Sequence, residues 1–149
     1  MARRRWYGLV ALVAWTFFIW LNRLANAWSS DTESTVDKVV SSVFAAVFLA
    51  FAVYGVVVLV ATWRRPLTDT AARVLQAFVV TTVVVWVFRI VQISLSSREV
   101  GFKVVHAALG IVAIALGVGV WRTAAAALGG ARRTPVASGA GPAGDSGRR

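Results

Sequence analysis

Residues 39–62 read VVSSVFAAVFLAFAVYGVVVLVAT, without one charged side chain. A helix rises about 1.5 Å per residue and bilayer hydrocarbon is about 30 Å thick, so a crossing needs roughly 20 apolar residues. This run exceeds that length, and the rest of the chain agrees with it. Of 149 residues, 58% are hydrophobic and 15% charged, and the mean hydropathy is +0.73. That balance belongs to a lipid-embedded chain, not to a soluble domain.

Three further apolar runs lie outward from this one, at 6–21, at 74–88 with a continuation towards Leu95, and at 104–121. The 6–21 and 74–88 runs reach spanning length only when their flanking Trp and Arg side chains are counted as interfacial. None of the runs alternates apolar and polar residues over about ten positions, as a barrel strand would. The expected fold is an all-α membrane protein of four transmembrane helices in two tandem helical hairpins, 6–63 and 73–121. Together these make a transmembrane domain over 1–121, and 122–149 is expected to be a flexible, basic cytoplasmic tail rich in Ala, Gly, Ser and Arg. Residues 1–27 also mimic a secretory signal, with Arg3–Arg5, an apolar stretch and Ala25-Asn26-Ala27. The Trp and Phe bulk of the stretch, and Arg23 beside the would-be cleavage site, favour a retained span.

The formal net charge of +10 invites a nucleic-acid reading, but that needs cations clustered on a soluble face. Here the arginines sit between apolar runs, so no nucleic-acid partner is expected. With the N-terminus inside, the cytoplasmic segments carry Arg3, Arg4, Arg5, Arg64, Arg65, Arg73, Arg122, Arg132, Arg133, Arg148 and Arg149, against Arg23, Lys38, Arg89, Arg98 and Lys103 outside. This asymmetry predicts both termini in the cytoplasm of a multi-pass plasma-membrane protein. Trp6, Trp63 and Trp121 then mark the inner boundary and Trp20, Trp28 and Trp86 the outer one; only Trp15 falls mid-span.

Shifting the chain by 65 or 66 residues lays its halves on each other. Thr16-x-x-x-Trp20-x-x-Arg23 falls on Thr82-x-x-x-Trp86-x-x-Arg89, and Lys38-Val39-Val40-Ser41 on Lys103-Val104-Val105-His106. Thr35-Val36-Asp37 and Ser97-Arg98-Glu99 each offer a hydroxyl helix cap followed by an acid. An even number of spans per unit implies a parallel internal repeat about the membrane normal. Aligned with Arg23, Arg89 reads as an outer-boundary residue; standing alone it reads as a buried functional charge.

Candidate residues are few. There is no cysteine, one histidine and six acids, so neither a catalytic constellation, a metal cage nor a bound cofactor is expected. His106 is a haem or proton-relay candidate on one reading and a hydrogen-bonded helix-packing residue on the other. The rim group Arg23, Asp31, Glu33, Asp37, Lys38, Arg89, Arg98, Glu99 and Lys103 is either an ion or headgroup vestibule or a capped, salt-bridged loop layer. Within it, Glu99 and Lys103 have the spacing of a helical ion pair. Gln76, Thr16, Thr81 and Thr82 are the other polar groups in the spans. Small residues at Ser42, Ala46 and Ala50, and at Gly110, Ala113 and Gly117, offer close helix packing, either between the second and fourth helices or against another copy.

Two stretches, Trp15-Thr16-x-Phe18-Ile19-Trp20 with Asn26-x-Trp28, and Val105-His106-x-x-Leu109-Gly110 running through small residues to Trp121-Arg122, resemble the two helices of a hairpin in small, uncharacterised integral-membrane proteins of actinobacteria. The first motif lies in the first hairpin and the second in the last, as in a duplicated and diverged form. Ser41 stands where the family pattern has His. The resemblance implies a membrane protein and brings no catalytic residues.

The chain reads best as a non-enzymatic scaffold, assembly factor or accessory subunit. Its expected partners are membrane lipids and either further copies of itself or other membrane proteins. A small transporter or channel using Arg89, His106 and Gln76 is the next reading, and a haem- or redox-linked subunit the third.

Overall fold

The computed structural model of the protein describes residues 3–31, 34–62 and 65–131. It is all-helical there, with α1 Arg3–Ser29, α2 Thr35–Thr62, α3 Asp69–Ser94 and α4 Val100–Ala131. Valine is a weak helix former in water, but a lipid-embedded chain must satisfy every backbone group internally, and the helix does so within one segment. All four helices are long and apolar enough to cross a membrane. The shortest, α3 with 26 residues, is about 39 Å long and so extends past the hydrocarbon at its ends. Only 22–28% of each apolar window is buried within the protein; the remaining apolar surface suits lipid and not water.

The helices exceed the apolar runs. Helix α1 continues from Leu21 to Ser29, α3 starts at Asp69 ahead of Val74, and α4 runs on from Trp121 to Ala131. Local chemistry sets two of the starts. Thr68, just after Pro66, accepts the Ala71 N–H at 3.3 Å and caps α3. The cap of α2 is Ser34 and not Thr35: Ser34 Oγ accepts the Asp37 N–H at 3.2 Å and donates to the Asp37 carboxylate at 2.7 Å. That reciprocal arrangement satisfies an orphan donor at the positive helix end.

Packing runs round a ring. Helix α1 lies on α2, α3 on α4, and α4 on α1, while α2 and α3 meet along a thinner seam where Phe51 and Phe78 stack at 5.1 Å. Among the described residues the diagonal pairs, α1 with α3 and α2 with α4, keep their Cα atoms more than 8 Å apart. The small-residue faces of α2 and α4 therefore do not meet each other at the centre, which removes one of the two packing arrangements expected for them. Side chains fill that centre instead, with Leu12, Phe48, Leu75 and Phe78 all at most 2% exposed.

Buried positions recur along the chain. Leu9, Leu12, Val13 and Thr16 of α1 are matched 66 residues on by Leu75, Phe78, Val79 and Thr82 of α3. Ala45, Phe48, Ala52 and Gly55 of α2 are matched 65 residues on by Gly110, Ala113, Gly117 and Val120 of α4. Both threonines return their hydroxyls to their own helix, to Leu12 O at 2.7 Å and Phe78 O at 2.8 Å, which removes the cost of burying them. Close approach is set by glycine: a Cβ on Gly55 would lie 2.6 Å from Val13 Cγ2, and one on Gly117 would lie 3.2 Å from Val79 Cγ1. In lipid such contacts, and not expulsion of water, hold helices together.

A cationic recess at the distal end of the bundle

At the end where α1 and α3 stop and α2 and α4 start, here called distal, the bundle opens into a cavity of about 610 Å³. Its walls come from the last turns of α1 and α3, the α3–α4 connection and the first turns of α4; α2 contributes none. Helices α1 and α3 are not backbone neighbours, but they face each other across this space, and they do so with the same pattern. Trp20-x-x-Arg23-x-x-Asn26 lines one wall and Trp86-x-x-Arg89-x-x-Gln92 the other. Spacing of three places each triplet along one helix face. Arg98 and Ser96 close the recess from the connection, and Phe102, His106 and Leu109 from α4.

Each cation is anchored locally. Arg23 Nη2 donates to the buried Ser41 Oγ at 3.0 Å, tying α1 to α2. Arg89 Nη1 donates to Gln92 Oε1 at 3.5 Å, a long contact within one helix. The Arg98 guanidinium lies 5.4 Å from the Phe102 ring centroid, close enough for a cation–π contact. The Phe102 ring packs on His106 with centroids 3.9 Å apart, and His106 Nδ1 lies 2.9 Å from the Phe102 carbonyl oxygen. A carbonyl only accepts, so Nδ1 carries the proton in that contact.

Deeper in, the lining is aromatic and aliphatic. Trp20 stacks on Phe48 at 4.4 Å and 12°, whereas Trp86 presses against α4 at Gly110, where an added Cβ would stand 2.7 Å from Trp86 Cε3. Equivalent tryptophans are thus seated by opposite means, an aromatic partner in one pair and an absent side chain in the other.

Of the polar residues singled out from sequence, Arg23, Arg89 and His106 meet at this recess, and Arg98 joins them. Gln76 does not; it lies 13 residues before Arg89 on α3, about 20 Å away along the helix. Lys103 does not line it either: its Nζ donates to the Ser94 carbonyl at 3.0 Å. The expected Glu99–Lys103 ion pair is absent among the described residues, because Glu99 precedes the first residue of α4 and the lysine reaches back across the turn. Lys38 is half-buried at the α2 start, outside the recess. Glu33, Trp63, Arg64 and the tail from Arg132 lie outside the described residues.

The small-residue positions divide. Gly110, Ala113 and Gly117 are buried, whereas Ser42 is half-buried and Ala46 and Ala50 are exposed. Ser42 is held by the chain itself, donating to Lys38 O at 2.8 Å and accepting Trp28 Nε1–H at 3.2 Å.

Sequence reading missed Asn26 and Gln92 as residues that line the recess beside the two arginines. The signal was present, since extending the repeated Trp-x-x-Arg by three residues reaches a side-chain amide in both copies. No family model, no curated protein and no solved structure matches the chain.

Proposed function

We propose that this protein is a non-enzymatic, multi-pass plasma-membrane protein of the scaffold, assembly or accessory class, which retains a molecule at its distal recess and contacts other membrane proteins or further copies of itself through its lipid-facing helices. The observation that carries this reading is the chemistry of the recess. Its described polar groups are guanidinium, amide, hydroxyl and imidazole, with His106 Nδ1 engaged by a backbone carbonyl. Such groups grip and orient; they lack the paired acid and base, or nucleophile with its base, that turnover requires. The uncovered Ala46 and Ala50 face of α2 adds a surface for close approach by another helix.

The same reading takes the chain as two tandem hairpins, a parallel internal repeat with both termini cytoplasmic. The recurrence of buried positions at 65 and 66 residues supports the repeat, as does the twofold use of Trp-x-x-Arg-x-x-amide around one cavity. Arg65, Arg73 and Arg122 at the opposite, proximal end support the orientation. A transporter would need a path through the bundle, and the layer of Leu12, Phe48, Leu75 and Phe78 fills that route.

Affinity purification of the full chain from native membranes in mild detergent, with mass spectrometry of what travels with it, tests the reading. A stoichiometric protein partner or a defined oligomer is the expected result. A monomer that brings nothing with it would end the scaffold and accessory interpretation.

A further inference from the structure

We propose that the distal recess binds the phosphate head group of an anionic phospholipid, with Arg23, Arg89 and Arg98 as its ligating cations. The proposal rests on the holding role argued above and names the chemical class that is held.

Three arginines line one cavity, two of them entering from opposite walls on copies of the same motif. A guanidinium is planar, permanently charged and carries five N–H donors, so it engages several partners at once and matches phosphate oxygens in pairs. Among the described residues no carboxylate lines the recess. The side-chain amides of Asn26 and Gln92 add neutral N–H donors to the same lining.

Position and shape favour a lipid over a bare ion. Arg23 lies six residues and Arg89 five residues before the ends of their helices, about 8–9 Å along the axis, which puts both near the hydrocarbon boundary where arginines reach lipid phosphates. A single oxyanion would leave most of about 610 Å³ empty. The space has the size of a small-molecule site, and its apolar wall of Phe18, Ile19, Val85 and Leu109 suits a glycerol backbone and the first methylenes of acyl chains. Phe18 is 57% exposed, so this wall is continuous with the lipid-facing surface.

The test uses the full-length protein in non-ionic detergent, titrated with phosphatidylglycerol or phosphatidylcholine of matched chains, or with inorganic phosphate, and read by native mass spectrometry and thermal unfolding. Phosphatidylglycerol should be retained and raise Tm, and phosphatidylcholine should do neither. Arg23→Gln with Arg89→Gln should weaken phosphatidylglycerol binding at least tenfold, and Arg98→Gln, on the exposed connection, about threefold without disturbing the helices. Arg73→Gln, at the proximal end, should change nothing. Inorganic phosphate that displaces the lipid with the same arginine dependence would support the shared phosphate chemistry, with the free ion as its source. Equal binding of both lipids, or undiminished phosphatidylglycerol binding by the Arg98→Gln and double variants, would overturn the proposal. So would phosphatidylglycerol binding by Glu33→Gln but not by the wild type, since the chain's own carboxylate would then be the anion. Failure in any of these arms leaves a co-purifying protein partner untouched, so the ligand class and the holding role fall separately.

Discussion

Gly110 of α4 sits against the indole of Trp86, so close that a single added carbon would stand 2.7 Å from Cε3 and 2.8 Å from Ile90 Cδ1. Glycine here is a packing device: the missing side chain lets α4 lie on α3 and seats the tryptophan that floors the recess. Gly110→Ala should therefore destabilise the bundle by about 1–3 kcal/mol through overpacking. Gly119→Ala, which meets nothing within 4 Å, should be neutral or slightly stabilising, because alanine is the better helix former. Denaturation in mixed micelles would measure both. Ile90→Ala should recover part of the Gly110→Ala loss, and a Gly110→Ala variant as stable as the wild type would contradict the α3–α4 contact.

The Arg23–Ser41 hydrogen bond ties α1 to α2 from within the recess wall. Ser41 is 7% exposed, so Ser41→Ala should cost about 1.5–3 kcal/mol, the net worth of a hydrogen bond to a charged group. A double-mutant cycle with Arg23→Gln should show coupling of similar size. Additive effects would mean that the two side chains act independently.

Much of the architecture was readable in the chain because lipid removes choices. Runs such as 39–62 have to be helical, and they are. Helix ends were less legible: α1 was expected to leave the membrane near Leu21, yet Asn22, Arg23 and Asn26 continue the helix to Ser29, since interfacial polar residues break hydropathy without breaking backbone hydrogen bonding. The cap of α2 is ambiguous in sequence for a similar reason, as Ser34 and Thr35 both carry the required hydroxyl and only geometry distinguishes them. For the recess, residue types were visible but convergence was not. Arg23 and Arg89 share a cavity because α1 and α3 occupy opposite corners of the ring, which periodicity within one helix cannot reveal.

Trp15 offers a prediction of opposite sign. Its Nε1 is buried without a hydrogen-bond partner among the described residues, and an unmade bond of this kind costs about 1–3 kcal/mol. Trp15→Phe keeps an aromatic ring against Phe18, whose ring lies 6.0 Å away, and deletes the orphan donor. It should leave stability unchanged or raise it by up to about 1 kcal/mol, whereas Trp15→Ala should lower it by about 3 kcal/mol or more through lost packing. A marked loss in Trp15→Phe would show that the indole N–H finds an acceptor in the membrane, from lipid or from a neighbouring chain.

Membrane sidedness can be tested cleanly because the chain has no cysteine. Asp31 and Ser97 are exposed at the distal end, and Thr70 is exposed in the first turn of α3 at the proximal end. With both termini cytoplasmic, Asp31→Cys and Ser97→Cys should react with a membrane-impermeant maleimide on intact cells, and Thr70→Cys should react only after permeabilisation. The arginine asymmetry argues for this sense, since cations flanking short loops are retained on the cytoplasmic side. The reverse labelling pattern would invert the bundle and bring the recess to the inner leaflet. Labelling of Asp31→Cys and Ser97→Cys from opposite sides would break the parallel repeat, because two units of two spans each must return to the same face.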